Sequence, residues 1–308
     1  MAKVGGKIKH LKNFKLNFTF NLQTQKRSNL FMKRTIAILI GFLGIATTAS
    51  SQYYFQDIVN TQRTVANMAV LKQQKVTAQM VQTFDPGMQP DKDFRCVRLV
   101  SPTGHQLRSV TNSSATGYEV LVSTFSSKGL LTKTVDSTDA SITITQYRYD
   151  EQGKLVLVSS SSQATASKLK FEETRSYAYD TAGRLQRMIR RKSATNDSLV
   201  VVFKTDSAGH VTEEQPAMGK RTYYNYDANG QLTDIYSYNA VRKRMLPDYM
   251  FEYEGGLLKK MTSVNVASSE YTIWEYSYQA SGLPDRESCY GKGKELLGMV
   301  KYNYTFNQ

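Results

Sequence analysis

A short aromatic pattern that ends in a glycine and a leucine recurs along most of this chain. The clearest copies are YRYDEQGKL, YAYDTAGRL and YNYDANGQL, and more degenerate copies include STFSSKGLL, FKTDSAGHV and YSYQASGLP. The glycines of successive copies are separated by about 25 residues, which indicates a repeat architecture. A period of this length is too short for the four-stranded blade of a propeller, so the repeated unit must be smaller.

The aromatic half of each copy predicts a β-strand with two different faces. In YNYDANGQL, Tyr224 and Tyr226 flank Asn225, so on a strand the two tyrosines share one face. An aromatic face opposite a polar face is typical of an antiparallel sheet that is packed on one side and wet on the other. The same alternation recurs in the other copies, which therefore predict a series of such strands.

The second half of each copy predicts a tight turn. Asp227 takes the first position of a four-residue turn, where its carboxylate can accept a hydrogen bond from the backbone two residues on. Gly230 takes the last position and tolerates the positive φ that a hairpin with a following bulge requires. The same turn roles are predicted for Asp150, Gly153, Asp180, Gly183, Asp206 and Gly209.

These units together predict an all-β fold. We expect an antiparallel meander of about seven to eight hairpins that forms one large twisted or curled sheet. The spacing leaves open whether such a sheet stays open, curls into a half-barrel or closes. Polar segments at 159–168, 192–197 and 239–248 are expected to be loops at the end opposite the turns, and apolar spacings over 55–73 predict a short N-terminal helix.

The N-terminal region has the three-part form of a secretory signal peptide. The segment MKRTIAILIGFLGIATTASSQ begins at Met32 and carries two positive charges, at Lys33 and Arg34. It continues with an apolar run and ends in small residues before Gln52. The apolar run is too short for a comfortable membrane span, and cleavage after Ala49 or Ser51 is plausible. The predicted organisation is a non-native extension from a misassigned start at 1–31, a signal peptide at 32–51, an N-terminal cap of helix and strand at 52–94, and a repeat domain at 95–308.

The charge distribution argues against a nucleic-acid partner. The formal net charge is +14, with 40 Lys and Arg against 26 Asp and Glu. Nine of the 40 basic residues and none of the acids fall in residues 1–52, so the remainder holds 31 bases against 26 acids. The basic excess therefore belongs mostly to the leader, and we expect an exported protein that is periplasmic, extracellular or on the cell surface, and not membrane-spanning after cleavage.

The three clearest copies resemble the YD repeat, which is shared by RHS-type shells, teneurin-like proteins and many smaller exported bacterial proteins. The resemblance covers roughly residues 95–308, and the remaining copies lack the aspartate or displace the leucine. It implies an extracellular or periplasmic β-structure that is often described loosely as carbohydrate-binding. The leader followed by Gln52 also resembles exported proteins of the Bacteroidota, whose small YD-repeat proteins are mostly uncharacterised.

The inventory of catalytic and metal-binding residues is poor. His105 and His210 each follow a turn glycine, and the sequence has no HExxH, GxSxG, phosphate-loop or dinucleotide pattern. One carboxylate per turn supplies too few oxygen ligands for calcium, so we expect no catalytic residues, metal or cofactor. Cys96 and Cys289 could form one disulfide in an exported protein, or remain two unpaired small hydrophobic residues.

Two groups of residues are candidates for ligand binding. Trp274 shares one strand face with Tyr276 and Tyr278 and could stack on a sugar ring, although such a stripe is more often a packing face. A basic run could contact an acidic glycan or envelope lipid, although a solvated loop is the commoner explanation, and it consists of Arg242, Lys243 and Arg244.

The sequence thus favours a non-enzymatic binding or scaffold protein of the cell envelope, with a glycan or protein partner recognised through a sheet face or the variable loops. One alternative is a structural or assembly protein that recruits another chain through the C-terminal segment VKYNYTFN as an edge strand. A less favoured alternative is a hydrolase with its site in the loops, which would need His105 or His210 beside two or more carboxylates. The oligomeric state stays open.

Overall fold

The computed structural model describes residues 52–114, 116–195, 197–265 and 268–307. The predicted extension at 1–31 and signal peptide at 32–51 lie outside these residues. The described chain opens with one continuous helical segment, the N-terminal helix, which is π-helical over Tyr54–Val59 and α-helical over Asn60–Gln73. The helix predicted over 55–73 is confirmed. No helix in the described ranges is long and apolar enough to cross a membrane.

Within the described residues, eighteen strands follow the helix and form one sheet. Their bounds are β1 Val76–Phe84, β2 Arg95–Val100, β3 Gln106–Ser113, β4 Gly117–Phe125, β5 Leu131–Thr138, β6 Ser141–Tyr149, β7 Leu155–Ala164, β8 Lys170–Tyr179, β9 Leu185–Lys192, β10 Asp197–Thr205, β11 Val211–Pro216, β12 Thr222–Tyr226, β13 Leu232–Asn239, β14 Arg244–Glu254, β15 Leu257–Asn265, β16 Glu270–Tyr278, β17 Pro284–Tyr290 and β18 Leu296–Phe306.

The prediction of one large twisted or curled sheet is wrong, because the sheet closes into an antiparallel barrel. Each strand pairs with the next along the chain, and β1 also pairs with β18, from Val76↔Phe306 to Phe84↔Met299. The hairpins with turn glycines supply β2 to β17, while β1 and β18 join the two edges. Closure depends on strand tilt and stagger, which the repeat pattern does not encode.

The closure also shortens the edge on which the assembly hypothesis depends. Strand β18, which contains VKYNYTFN, pairs with β1 from Met299 to Phe306. On its other side it pairs with β17 from Leu296 to Lys301. One side of VKYNYTFN is therefore occupied by β1 as far as Phe306, and a second chain cannot add on that side without displacing β1.

The Asp–Gly hairpins share one turn geometry. Gly230 has a φ of 75° and donates its N–H to the carbonyl of Asp227 at 3.0 Å. The Asp227 carboxylate accepts one hydrogen bond from the N–H of Asn229 at 2.9 Å and another from the N–H of Gln231 at 2.8 Å. The pairing register then shifts by one residue at Tyr226, as a bulge after a type I turn requires. Matching turn and carboxylate bonds occur at Asp150, Asp180 and Asp206.

Where the second aromatic position of the repeat is a tyrosine, its hydroxyl ties that strand to the hairpin before it. The Tyr226 hydroxyl donates to the carbonyl of Val211 at 2.8 Å, and the Tyr253 hydroxyl donates to that of Leu232 at 3.0 Å. Equivalent bonds run from Tyr149 to Leu131, Tyr179 to Leu155, Tyr278 to Leu258 and Tyr304 to Pro284. This position therefore satisfies a backbone carbonyl on the neighbouring hairpin as well as adding apolar area.

The first tyrosine of the repeat points into the barrel, where it meets the N-terminal helix. Tyr177 and Tyr224 are only 5% and 2% exposed and belong to the main hydrophobic core, which also contains Phe55 of the helix. A second cluster forms where Met68 and Leu71 of the helix meet the turn end of the barrel. The helix thus occupies the lumen, and its apolar residues complete the core.

Two of the segments that the sequence predicts as loops continue the barrel wall. Most of 159–168 belongs to β7, which extends to Ala164, and half of 239–248 belongs to β14, which begins at Arg244. The serines of β7 pair residue by residue with strands on both sides, for example Ser160 with Thr145 and with Glu173. Serine-rich composition indicated a loop, but cross-strand pairing on a polar inner face holds it as strand.

Candidate functional site

The N-terminal helix is anchored to the inner wall through a buried carboxylate. Glu214 on β11 is fully buried, and its two oxygens accept the backbone N–H groups of Tyr53 and Tyr54 at 2.9 and 3.1 Å. The Tyr224 hydroxyl donates to the same carboxylate at 2.8 Å. Burial raises the pKa of Glu214, and these three hydrogen bonds oppose that rise. Glu214 therefore satisfies the exposed N–H groups of the helix start, as a capping side chain would.

A second buried carboxylate lies on the helix itself. Asp57 is 6% exposed, and its Oδ2 lies 2.8 Å from Arg175 Nε on β8 in an ion pair. The Tyr177 hydroxyl donates to the same oxygen. Burial raises the pKa of Asp57 although Arg175 opposes the shift. A buried ion pair of this kind fixes the rotation of the helix in the barrel, because breaking it would leave an uncompensated charge.

Further polar and aromatic contacts hold the start of the helix against β9 to β14. Arg190 Nη1 donates to the Tyr53 hydroxyl at 2.7 Å, and the Tyr54 ring meets that of Tyr224 edge-on at 5.2 Å between centroids. Phe55 packs against Phe251 on β14 at 5.9 Å. This side of the lumen is therefore filled by the chain's own N-terminal residues.

The predicted aromatic platform lies within this filled core. Trp274 is 8% exposed and is cross-strand partner to Met261 and Cys289, and Tyr276 belongs to the same core cluster. The Tyr278 hydroxyl is engaged with the carbonyl of Leu258. The structure brings the three predicted aromatic residues together on one inward face, where the contacts described above are with other residues of the barrel.

The predicted basic run lies elsewhere, at the connection between β13 and β14. Arg242, Lys243 and Arg244 are all exposed. The backbone N–H of Arg242 donates to Asn239 Oδ1 at 2.8 Å, and its guanidinium bonds Ser269 on the neighbouring connection. The run is therefore part of the rim at the loop end, separate from the aromatic residues.

The two cysteines are buried and free. Cys96 lies on β2 and Cys289 on β17, so β1 and β18 stand between them in the wall. Burial raises the pKa of the Cys289 thiol to about 12, which keeps it protonated at neutral pH. Both thiols act as small packing residues in this structure.

The two histidines occupy separate turns. His210 Nδ1 lies 3.0 Å from Asp206 Oδ2, and its ring stacks on Tyr226 at 4.7 Å between centroids, whereas His105 belongs to the turn at Gly104. His210 thus meets one carboxylate on a partly exposed turn rather than two in a cleft. Within the described ranges, no group of three or more His, Cys, Asp or Glu residues could hold a metal ion.

The loop-end part of the wall over β4 to β7 is polar on its inner side, and its inward side chains are only half-buried. We call this surface the polar inner face; it consists of the polar inward residues at the loop end of β4 to β7, namely Glu119, Asp136, Thr138, Thr143, Thr145, Ser160 and Ser162, and the apolar Leu121 lies among them opposite Asp136. Residues directly opposite in an antiparallel pair share a face, and the register places Glu119 opposite Thr138, and Asp136 opposite Thr143. Hydroxyls bridge the next pair of strands, with Thr143 donating to Ser162 at 3.0 Å.

Among the residues that the structure describes, no basic side chain forms an ion pair with either carboxylate of the polar inner face. Burial raises the pKa of both Glu119 and Asp136, and the charge of Asp136 raises that of Glu119 further. Asp136 Oδ1 is buried and has no hydrogen-bond partner among the described residues. Free acceptors beside a row of hydroxyls are suited to binding a ligand that donates several hydrogen bonds.

Sequence reasoning missed Asp57, Glu214 and the polar inner face. The sequence VTEEQP did not single out Glu214, because only the register with β12 shows that it shares the inner face with Thr222 and Tyr224. The run of serines that contains Ser160 and Ser162 was visible in the sequence, but it was interpreted as part of a loop. Asp57 carried no distinctive pattern, since its partner Arg175 lies far along the chain.

Comparison with known proteins gives structural likeness only. No protein-family model matches the chain, and no curated protein sequence matches it, so the YD-repeat resemblance rests on the motif alone. A porin-like protein from Bacteroides uniformis is similar at 10% identity, over 75% of this chain and 97% of that chain, with a TM-score of 0.36. A porin-like protein from Bacteroides vulgatus is similar at 15% identity, over 75% and 98%, with a TM-score of 0.25.

A third solved structure, of TcdB2–TccC3–Cdc42, is similar at 12% identity over 71% of this chain and 16% of that chain, with a TM-score of 0.25. Identities and TM-scores of this size say nothing about ligand, activity or partner. A shared architecture does not imply a shared function, which must be argued from the site itself.

Proposed function

We propose that this protein is an exported, non-enzymatic binding protein of the cell envelope whose ligand site is the polar inner face at the loop end of the barrel. The observation that carries the proposal is the contrast between two parts of the barrel wall. The wall over β9 to β14 is packed with the start of the N-terminal helix, whereas Asp136 on β5 is half-buried and has a carboxylate oxygen without a hydrogen-bond partner among the described residues. The export expected from the leader places such a site outside the cytoplasm.

A polyhydroxylated ligand such as a glycan fits this chemistry best. The carboxylates of Glu119 and Asp136 can accept hydrogen bonds from neighbouring sugar hydroxyls, and the threonine and serine hydroxyls can donate or accept. Hydrogen bonds to a charged group contribute about 1.5–3 kcal/mol each, so two carboxylates give most of the specificity. The exposed basic run at Arg242 lies on the connection between β13 and β14, six strands along the wall from β7, and is not part of this site.

The test is a glycan array on the protein that begins at Gln52, followed by calorimetric titration of any hit. Asp136→Asn should weaken binding by at least about tenfold, and Thr143→Val should weaken it to a smaller extent. Arg242→Ala is the matched control on the loop rim and should leave affinity unchanged. Affinity that depends on Arg242 rather than on Asp136, an array without hits, or release of hydrolysis products would each contradict the proposal.

A further inference from the structure

The first described residues of the chain are enclosed rather than trailing at the surface. Gln52 is 6% exposed, and its side-chain amide donates to Asp248 Oδ2 at 3.4 Å. Ser237 donates to the same oxygen at 2.8 Å. Tyr53, the next residue, donates its N–H to Glu214 Oε1 at 2.9 Å. Two carboxylates of the inner wall therefore surround the point at which the chain enters the lumen.

The backbone nitrogen of Gln52 lies close to the more buried of these carboxylates. Consecutive backbone nitrogens are at most about 3.6 Å apart. Because Tyr53 N is 2.9 Å from Glu214 Oε1, the nitrogen of Gln52 lies within about 6.5 Å of that oxygen. This upper limit is close to the distance of about 4–6 Å within which an opposite charge stabilises a carboxylate. An amide nitrogen at this position carries no charge, whereas a free α-amino group is protonated at neutral pH.

Glu214 lacks a cation among the contacts that the structure describes. Its hydrogen bonds come from the neutral donors Tyr53, Tyr54 and Tyr224, and the charge of Asp57 nearby makes the negative potential stronger. A buried carboxylate without a cation is costly. A positive charge at the start of the chain would offset that cost without any change in the wall.

We infer that the leader is cleaved between Ser51 and Gln52, and that Glu214 binds the α-ammonium group that cleavage creates. Water adds across the peptide bond under a leader peptidase, which leaves a carboxylate on Ser51 and an ammonium group on Gln52. Cleavage after Ala49, the other position named above, would instead create the ammonium group on Ser50, two residues before the nitrogen that lies beside Glu214. Processing thus supplies the missing cation and completes the anchoring of the N-terminal helix, independently of any ligand.

The first test is mass determination of the protein exported by a Gram-negative host that expresses the full chain. A mature chain beginning at Gln52 with a free amine is expected. A chain that begins at Ser50, keeps its leader, or has lost ammonia through cyclisation of its terminal glutamine would overturn the inference, because none of these places a cation beside Glu214.

The second test compares two purified proteins, one beginning at Gln52 and one that retains Ser50 and Ser51. The longer protein should melt about 2–4 °C lower, as expected for a chain of this size that loses one favourable charge contact. In the Glu214→Gln background the two lengths should melt at the same temperature. If that variant does not fold, N-terminal acetylation of the Gln52 protein replaces it and should reproduce the lower melting temperature. Equal melting of the free and extended or acetylated proteins would overturn the inference.

Discussion

Gly230 occupies a position where a Cβ atom would collide with the neighbouring hairpin. Its φ is +75°, and an added Cβ would lie 2.8 Å from His210 Nε2 and 3.1 Å from Cε1. Gly129 has a similar φ of +80°, but nothing lies within 4 Å of its Cβ position. The two glycines therefore separate the backbone cost of a substitution from its steric cost.

Replacing either glycine with alanine imposes the backbone cost of a left-handed conformation, roughly 1–2 kcal/mol. Gly230→Ala must in addition displace the His210 ring from its stack on Tyr226, whose centroids are 4.7 Å apart. Such an aromatic contact is worth about 0.5–1.5 kcal/mol. We therefore expect Gly230→Ala to lower the free energy of unfolding by about 1.5–3.5 kcal/mol, and Gly129→Ala by only the backbone part.

Urea unfolding of both variants and of the double variant Gly230→Ala/His210→Ala measures the difference. His210→Ala removes the colliding ring, so relative to His210→Ala alone the glycine substitution should cost no more than Gly129→Ala does. Equal losses at the two glycines, or an excess at Gly230 that survives removal of His210, would refute the reasoning about contact between turns.

The other predictions concern the tyrosine bonds and the buried ion pair. Tyr253→Phe should lower the free energy of unfolding by about 1 kcal/mol, because it removes the hydrogen bond from the hydroxyl to the neighbouring hairpin. Tyr238→Phe, on the half-exposed outer face, should leave the free energy of unfolding unchanged. Equal urea midpoints for these two variants would contradict this prediction. Arg175→Met leaves Asp57 buried without its cation and should cost about 3–5 kcal/mol, while Arg184→Ala, in a surface pair, should cost less than about 1 kcal/mol in the same urea assay. Burial raises the pKa of Asp57 above its unfolded value of about 4, so the folded chain keeps the proton on this carboxyl to a higher pH than the unfolded chain does. The stability that this proton contributes is complete below about pH 4 and is lost as the pH rises through the raised pKa. Asp57→Asn should therefore flatten the decline of stability with pH, and stability that increases with pH more steeply in the wild type than in the variant would contradict this prediction.

The hairpins could be predicted from the sequence because their determinants are local. Asp227 and Gly230 act on backbone groups within four residues, so the pattern carries its own geometry. The two tyrosines looked equivalent in the sequence, although one fills the core and the other bonds the adjacent hairpin. That distinction needs the order of hairpins around the barrel, which no single copy of the repeat contains.

The closure of the sheet and the location of the polar inner face could not be predicted in the same way. Closure joins Val76 to Phe306, residues near opposite ends of the chain, and it depends on the accumulated twist of all intervening strands. Residues on the inner face of a barrel are buried only where other residues fill the lumen beside them. The filling here comes from the N-terminal helix, so Ser160 and Tyr224 lie on the same inner surface but in different surroundings.

The enclosed start of the N-terminal helix is the claim on which both the core and the candidate site depend, and hydrogen–deuterium exchange of residues 52–59 tests it most directly. Within a closed barrel, the amides of Tyr53 and Tyr54 are bonded to Glu214 and can exchange only when the helix leaves the lumen. We predict exchange at least about a thousandfold slower than in a free peptide, which corresponds to an opening free energy of about 4 kcal/mol. Exchange at the free-peptide rate, while β1 and β18 stay protected, would contradict the account.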